Sequence, residues 1–274
     1  MRIEKNQGDL LSQRLKATAK DQAKVMEQLA TGKRINRASD DAAGIAMARE
    51  FETQIRSYRS ATDNISDGMS ALSIADGGAS TISDMLQRQR ELAVQGANGA
   101  LNDDQRSDLD NEFQSLSQEI DRISKSTNFN GQGLLDGSSA LSDGTGGVQA
   151  GGGSNDQIVL SASDLSLSSL NLGSEKLSSS DGALKAMSAI DSAMRKVNDS
   201  RASQGGLQNR LESAMSSVEN QMVNTTKGLS QVEDLDFAQA LTQKTSNDIL
   251  QNTGAAALSQ FNQLSRTHLL ALLQ

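Results

Sequence analysis

The segment "FETQIRSYRSATDNISDGMSALSIADGGASTISDMLQRQRELA", residues 51–93, decides the fold. Its apolar residues fall three and four apart: Phe51, Ile55, Tyr58, Ile65, Met69, Leu72, Ala75, Ala79, Ile82, Leu86 and Ala93. Only Thr62 and Gln89 interrupt the stripe. A repeat near 3.5 residues marks helices wrapped on one another, because it keeps one narrow seam on one face. A helix from about residue 45 to 97 would be roughly 75 Å long at about 1.5 Å per residue. Bundles and coiled coils have such helices; ordinary globules seldom do.

Composition agrees. The 274 residues include no proline, where about 5% is usual. Proline removes a backbone donor and clashes inside a helix, so its absence permits long unbroken helices. Hydrophobic content is 36% and aromatics are 2%. Both are poor material for the large core that a compact globule of this length needs. The absence of cysteine excludes disulfides, Cys-ligated metals and a thiol nucleophile. With His268 the single histidine, a His-based metal site or a Ser-His-Asp triad is not expected. The 26 Lys+Arg against 34 Asp+Glu leave a net charge of -8, which argues against a nucleic-acid binder. No run of about 20 apolar residues exists, so no membrane insertion is expected. The start, "MRIEKNQGDLL", has no apolar stretch of signal-peptide length. The chain either stays inside the cell or leaves by a route that reads no cleaved signal.

Outward from the deciding stretch, "GANGALNDDQ" breaks the helix. Asn102 is a good N-cap, and Gln105 completes a capping box. Leu109, Phe113, Leu116, Ile120 and Ile123 form the next stripe, ending near "KSTNFNGQGLLDG", where Asn and Gly supply turns. From about 137 to 180 the chain is Gly- and Ser-rich; "QIVLSASDL" reads as a strand with "GGVQAG" as its partner. Helical period resumes at Leu184 and runs to Val232, with "SQGG" at 203–206 expected to loosen it and "EDLDF" to interrupt it. A last amphipathic segment carries Leu250, Ala257, Phe261, Leu264, His268 and Leu272; the first carries Leu11, Leu15, Val25 and Leu29.

The organisation is palindromic, with helix at both ends and the irregular insert in the middle. The expected fold is mainly α: long antiparallel helices in a coiled-coil or helical-bundle rod with a small central β-hairpin region. Three regions follow. Residues 1–40 with 235–274 form a terminal coiled-coil domain. Residues 41–136 with 181–234 form a helical rod. Residues 137–180 form a short hairpin and loop insert. Long narrow-striped helices bury little unless neighbours cover them, which points to self-association.

Four motifs carry a family resemblance: "LATGKRINRASDDAAGIAMA" (29–48), "LQRQRELAVQGANG" (86–99), "EIDRISKSTNFNGQGLL" (119–135) and "LQNRLESAMSSVEN" (207–220). In this order they resemble bacterial flagellin, over both terminal thirds. The short centre resembles a flagellin core without outer variable domains. The resemblance implies a filament subunit whose extreme helices pair as a coiled coil along the filament channel. It implies export in an unfolded state by the flagellar type III apparatus and assembly at the tip, hence a secreted, extracellular place in the filament. The implied partners are further copies of the chain, an export chaperone, the cap protein and the hook-associated junction protein. No cofactor is implied. The chain departs from the family's usual pattern at "RIEKNQGDLL", "LSQVEDLDFA" and "FNQLSRTHLLALLQ".

The sharpest candidate surface is Arg88, Leu92 and Glu112, flanked by Gln87, Arg90, Glu91 and Gln95. Arg88 and Leu92 lie four apart on one helix, and Glu112 lies on the following antiparallel one. Resemblance implies that the matching residues of flagellins bind Toll-like receptor 5; the plainer reading is a subunit-stacking surface. Asp40, Asp41 and Gly44 could suggest a metal site, but adjacent carboxylates on a helix point about 100° apart. A helix first turn behind Ser39 suits them better. The methionines at helical spacing read as core fillers. Ser138, Ser139, Ser142, Thr145 and Ser154 face outward in this reading and are candidate glycosylation positions. Two alternatives remain open: a hook-associated junction protein of related fold, and an enzyme, for which the insert offers no motif.

Overall fold

The computed structural model describes residues 2–138, 146–161 and 163–272, with side chains for those between 8 and 264. The helices in chain order are α1 (Arg2–Thr31), α2 (Ala42–Gly96), α3 (Asp103–Ser126), α4 (Ser180–Glu233) and α5 (Phe237–Leu272). Between α3 and α4 lie β1 (Asn128–Phe129), β2 (Gln132–Gly133), β3 (Gly147–Gln149) and β4 (Gln157–Val159). The fold is mainly α, as the periodicity predicts, with two small antiparallel hairpins where the sequence implies one.

Two compact units are present: Met1–Ile55 with Asn224–Gln274, and Arg56–Val223. Their boundaries cut α2 and α4 rather than falling at the turns.

In the first unit α1 runs antiparallel to α5. Gln22 Nε2 donates to Asp248 Oδ1 at 2.5 Å. A Cβ at Gly254 would meet Leu15 Cδ2 at 2.6 Å, and one at Gly8 would meet Phe261 Cε1 at 3.0 Å. The glycines thus receive large side chains from the opposite helix. The ends of the pair are tied where the Arg34 N–H donates to Glu233 O at 2.6 Å and the Leu235 N–H to Gly32 O at 3.1 Å. Lys33 Nζ adds an ion pair to Glu233 at 2.5 Å.

The turn between α1 and α2 accounts for the two aspartates. Asp41, not Ser39, caps α2: its Oδ1 accepts from the Gly44 N–H at 2.8 Å. Asp40 stays in the turn, accepting from the Arg37 N–H at 3.1 Å and the Lys24 ammonium at 2.9 Å. Ser39 cannot serve because the turn continues through Asp40 before the helix starts. Asp236 starts α5 in the same way, accepting from Ala238 and Gln239 N–H at 3.0 and 3.1 Å.

In the second unit α2, α3 and α4 bury the larger of two apolar clusters; the other joins Ile65 and Leu72 of α2 to Val148, Leu207 and Leu211. In the larger, Ala79, Ile82, Leu86 and Leu92 of α2 meet Phe113 and Ile120 of α3 and Ile190 and Val197 of α4. The loop leucines Leu135, Leu165, Leu172 and Leu177 close it. The capping box at α3 forms: Asn102 Oδ1 accepts from the Gln105 N–H at 2.8 Å, and Gln105 Oε1 from the Asn102 N–H at 3.2 Å. Strand β3 pairs β4 with Val148 opposite Ile158, so "GGVQAG" and "QIVLSASDL" do pair, although β4 ends at Val159.

Sequence reading saw turns at "NFNG" but not the β1–β2 hairpin. Asn130 and Gly131 take φ of 51° and 79°, the left-handed pair that a two-residue hairpin loop needs. Loosening at 203–206 does not occur: α4 is continuous through Gly206.

Candidate assembly interface

Helix α2 presents Gln87, Arg88, Arg90, Glu91 and Gln95 on its exposed side. Arg88 reaches across to α3, donating from Nε and Nη2 to Glu112 Oε1 at 3.0 and 2.8 Å. Its Nη1 meets Glu91 Oε2 at 2.9 Å. The hydrogen bonds to Glu112, then to Glu91, hold the Arg88 guanidinium above its ordinary pKa. On the other flank Arg90 Nε meets Asp191 of α4 at 2.8 Å. The patch is a charge-paired ridge with Val94 at its apolar centre, 50% exposed.

Leu92 must be removed from that surface. It is 1% exposed and belongs to the core with Phe113 and Ile190. Residues four apart share a face only to within about 40°, and here the boundary between core and solvent falls between Arg88 and Leu92.

Gln89, a gap in the apolar stripe, is fully buried. Its Nε2 donates to Phe113 O at 3.1 Å and to Ser117 Oγ at 2.7 Å, pinning α2 against α3. A polar residue inside an apolar stripe was the available signal. Arg106, also buried, was missed altogether. Its Nη1 donates to Gly96 O, and its Nη2 to Asn98 O at 3.0 Å and Leu101 O at 3.3 Å. One guanidinium thereby satisfies the carbonyls at the end of α2 and in the following turn.

The terminal pair divides the predicted packing residues. Val25 is buried, and Leu11, Leu15, Leu29 and Phe261 are half-buried. Leu250 and Leu264 are 54% and 56% exposed, and Ala257 is exposed too, so none of the three packs against α1. The side of α5 turned inward is Ala240, Lys244, Asn247, Gln251, Gly254, Leu258 and Phe261. The helix carries apolar residues on two faces, and the richer one is not the inward one. Phe237, Leu241, Ile249 and Leu250 remain open, and Leu241, Ile249 and Leu250 line a shallow groove with Thr242, Thr245 and Ser246. The side chains of His268 and Leu272 lie outside the described residues.

In the insert Ser138 and Ser154 are exposed, and the Ser138 hydroxyl donates to Asp136 at 2.7 Å. Ser139, Ser142 and Thr145 lie outside the described residues. Among the described residues no cluster of three or more His, Cys, Asp or Glu could hold a metal ion. No helix among them is long and apolar enough to cross a membrane.

A model of the bacterial flagellin N-terminal helical region matches residues 8–140, and one of the C-terminal helical region matches residues 187–273. A flagellin of Halalkalibacterium halodurans is 36% identical over 242 residues, covering 88% of each chain. The chain belongs to the bacterial flagellin family. A 31.3 kDa flagellar filament core protein of Treponema maltophilum is 35% identical over 287 aligned positions, covering all of both chains. Among solved structures, Bacillus cereus flagellin superposes with a TM-score of 0.51 at 34% identity, over 57% of this chain and 88% of that one. A flagellar hook-associated protein of Vibrio parahaemolyticus gives 0.59 at 17% identity, over 71% and 100%. At that identity it shares the fold alone. Flagellin is a structural, filament-forming family, and the junction-protein alternative is not favoured.

Proposed function

We propose that this flagellin polymerises by covering the open face of α5, and the exposed apolar residues of α1, with further copies of itself. The observation that carries this is the set Phe237, Leu241, Ile249 and Leu250, each more than half exposed in the single chain. Large apolar side chains contiguous on one helix call for a cover. A second copy is the occupant that the family implies, and the flagellar filament core protein of Treponema maltophilum aligns with this chain over its whole length.

In this reading residues 1–40 and 235–274 complete the filament core, 41–136 with 181–234 form the rod and 137–180 its insert. Helices with narrow stripes hold poorly alone and order when neighbours bury them. The chain leaves the cell unfolded through the type III apparatus, held beforehand by an export chaperone. It adds at the tip beneath the cap, above the hook-associated junction, and resides outside the cell. The ridge of Arg88 and Glu112 serves subunit stacking, and exposed on a free subunit it is what Toll-like receptor 5 would meet.

The test is polymerisation of full-length protein carrying Leu241→Asp and Ile249→Asp. Both residues face away from α1, so the variant should keep its helical circular dichroism as a monomer and form no sedimentable filament. Removal of 250–274 should also abolish the filament while the 45–230 rod stays folded. Normal filaments from either variant would overturn the proposal.

A further inference from the structure

Helix α1 carries two seams. Leu11, Leu15, Thr18, Gln22, Val25 and Leu29 repeat at four-three spacing and are covered or half-covered on the side of α5. One residue further round, Ala19, Ala23, Met26 and Ala30 repeat the same spacing, and all are exposed. The offset of one residue turns this second seam about 100° from the first. Met26 is its one large side chain and is 49% exposed. Met47 on α2 is exposed to the same 49%. The other described methionines, Met69, Met85, Met187, Met194, Met215 and Met222, are half-buried.

A thioether is a soft, apolar gap-filler until it is oxidised; the sulfoxide is polar, accepts hydrogen bonds and donates none. Alanines beside it offer no donor. Burying that oxygen in an apolar seam leaves it unsatisfied, which disfavours burial. We propose that Met26 is an oxidation site through which hydrogen peroxide withholds free subunits from polymerisation. The inference rests on the filament reading above, since it needs the open seam of α1 to be covered by a second copy. Peroxide transfers one oxygen atom to Met26 Sδ. The O–O bond breaks, an S–O bond forms, the sulfur gives up two electrons, and the remaining oxygen leaves as water with both protons. Once covered in the polymer, the sulfur is shielded from the reagent. Met47, equally exposed, is the internal reference for reactivity.

The experiment treats the full-length, unassembled chain with hydrogen peroxide. Peptide mass spectrometry locates the added oxygen, and sedimentation measures polymer. Met26 and Met47 should gain oxygen before Met69, Met85 and Met194, and the treated wild type should lose its pelletable polymer. Met26→Leu, treated alongside, should keep it; Met26→Gln, untreated, should lose it. Enzymatic reduction of the sulfoxide should restore assembly of the wild type. The proposal is overturned if Met26 reacts no faster than the half-buried methionines. Normal polymerisation of chains oxidised at Met26 overturns it, as does full loss of assembly in treated Met26→Leu. If untreated wild-type protein forms no polymer at all, the filament reading itself fails, and this inference with it.

Discussion

Gln89 donates from Nε2 to the Ser117 hydroxyl at 2.7 Å, inside a bundle where both residues are buried. The same amide leaves its Oε1 without a partner. The pair therefore fixes the register of α2 on α3 while carrying an internal penalty. Replacing Gln89 with Leu removes the orphaned oxygen along with the bonds, and Ser117 still bonds Phe113 O at 3.0 Å. We expect a gain of about 1 kcal/mol in urea unfolding, since apolar replacement of a half-satisfied group is neutral to stabilising. Gln89→Ala should instead lose about 2 kcal/mol through the cavity. A lowered midpoint for Gln89→Leu would show the oxygen to be satisfied after all.

Arg106 offers a sharper test of a single side chain. Arg106→Ala strips the donors from three backbone carbonyls at once. The expected cost is about 2–3 kcal/mol, with faster hydrogen exchange across residues 96–102. Lys lacks the planar fork, so Arg106→Lys should recover only part of the loss. Full recovery would mean that charge alone suffices.

The α1–α5 pair depends on a glycine. Gly254→Val would drive a branched side chain into Leu15, whose Cδ2 already lies 2.6 Å from the Cβ position. Polymerisation should be impaired, and Leu15→Ala in the same chain should restore much of it. Sedimentation of the single and double variants measures the coupling. An additive loss would show that the two residues do not couple.

The turn at 36–41 should be acid-labile. The Lys24 ammonium holds the Asp40 carboxyl below its ordinary range, against the opposing effect of burial, with help from the Arg37 and Asn36 N–H groups. Its stabilisation is thus fully present above the unfolded carboxylate value of about 3.9 and is lost as pH falls through the lower folded value. Hydrogen exchange at residues 33–45 should rise at low pH in the wild type. Asp40→Asn should exchange faster at neutral pH and lose that part of the acid response. An unchanged acid response in Asp40→Asn would point to another carboxylate.

Arg88 and Glu112 are both about half exposed, so solvent screens the pair and a double-mutant cycle should show little coupling. Stability and recognition then separate. Monomers carrying Arg88→Ala or Glu112→Ala should stay folded yet signal less in reporter cells bearing Toll-like receptor 5. Full signalling from both would leave subunit stacking as the only role of the ridge.

What could be read in the sequence was what local rules decide. Asn102 with Gln105 spells a capping box within four residues, and the box is there. The helix read around the stripe from Phe51 to Ala93, about residue 45 to 97, matches α2 to within three residues at each end. Tertiary partners were beyond such reading. Leu92 and Arg88 differ only in which side of α2 meets the core, and period alone does not supply that angle. Arg106 finds its partners at the end of another helix. On α5 the apolar residues occupy two faces, and no local signal says that Gly254 and Asn247 turn inward while Leu250 turns out. Asn130–Gly131 did signal a hairpin, but the strands beside it are two residues each, too short for alternation to show.

The antiparallel register of α1 on α5 has a temporal meaning. Gln22 meets Asp248 across 226 residues of sequence, and Gly8 meets Phe261 across more. A loop that long closes at high entropic cost and only after both ends exist. The α2–α3 hairpin, by contrast, joins Gln89 to Ser117 across 28. Nothing in α1 can find its helical mate until about the last seventh of the chain, from Phe237 onward, has begun to arrive. The order in which the molecule matures is thereby written into its topology: the bundle first, the join of its two ends last.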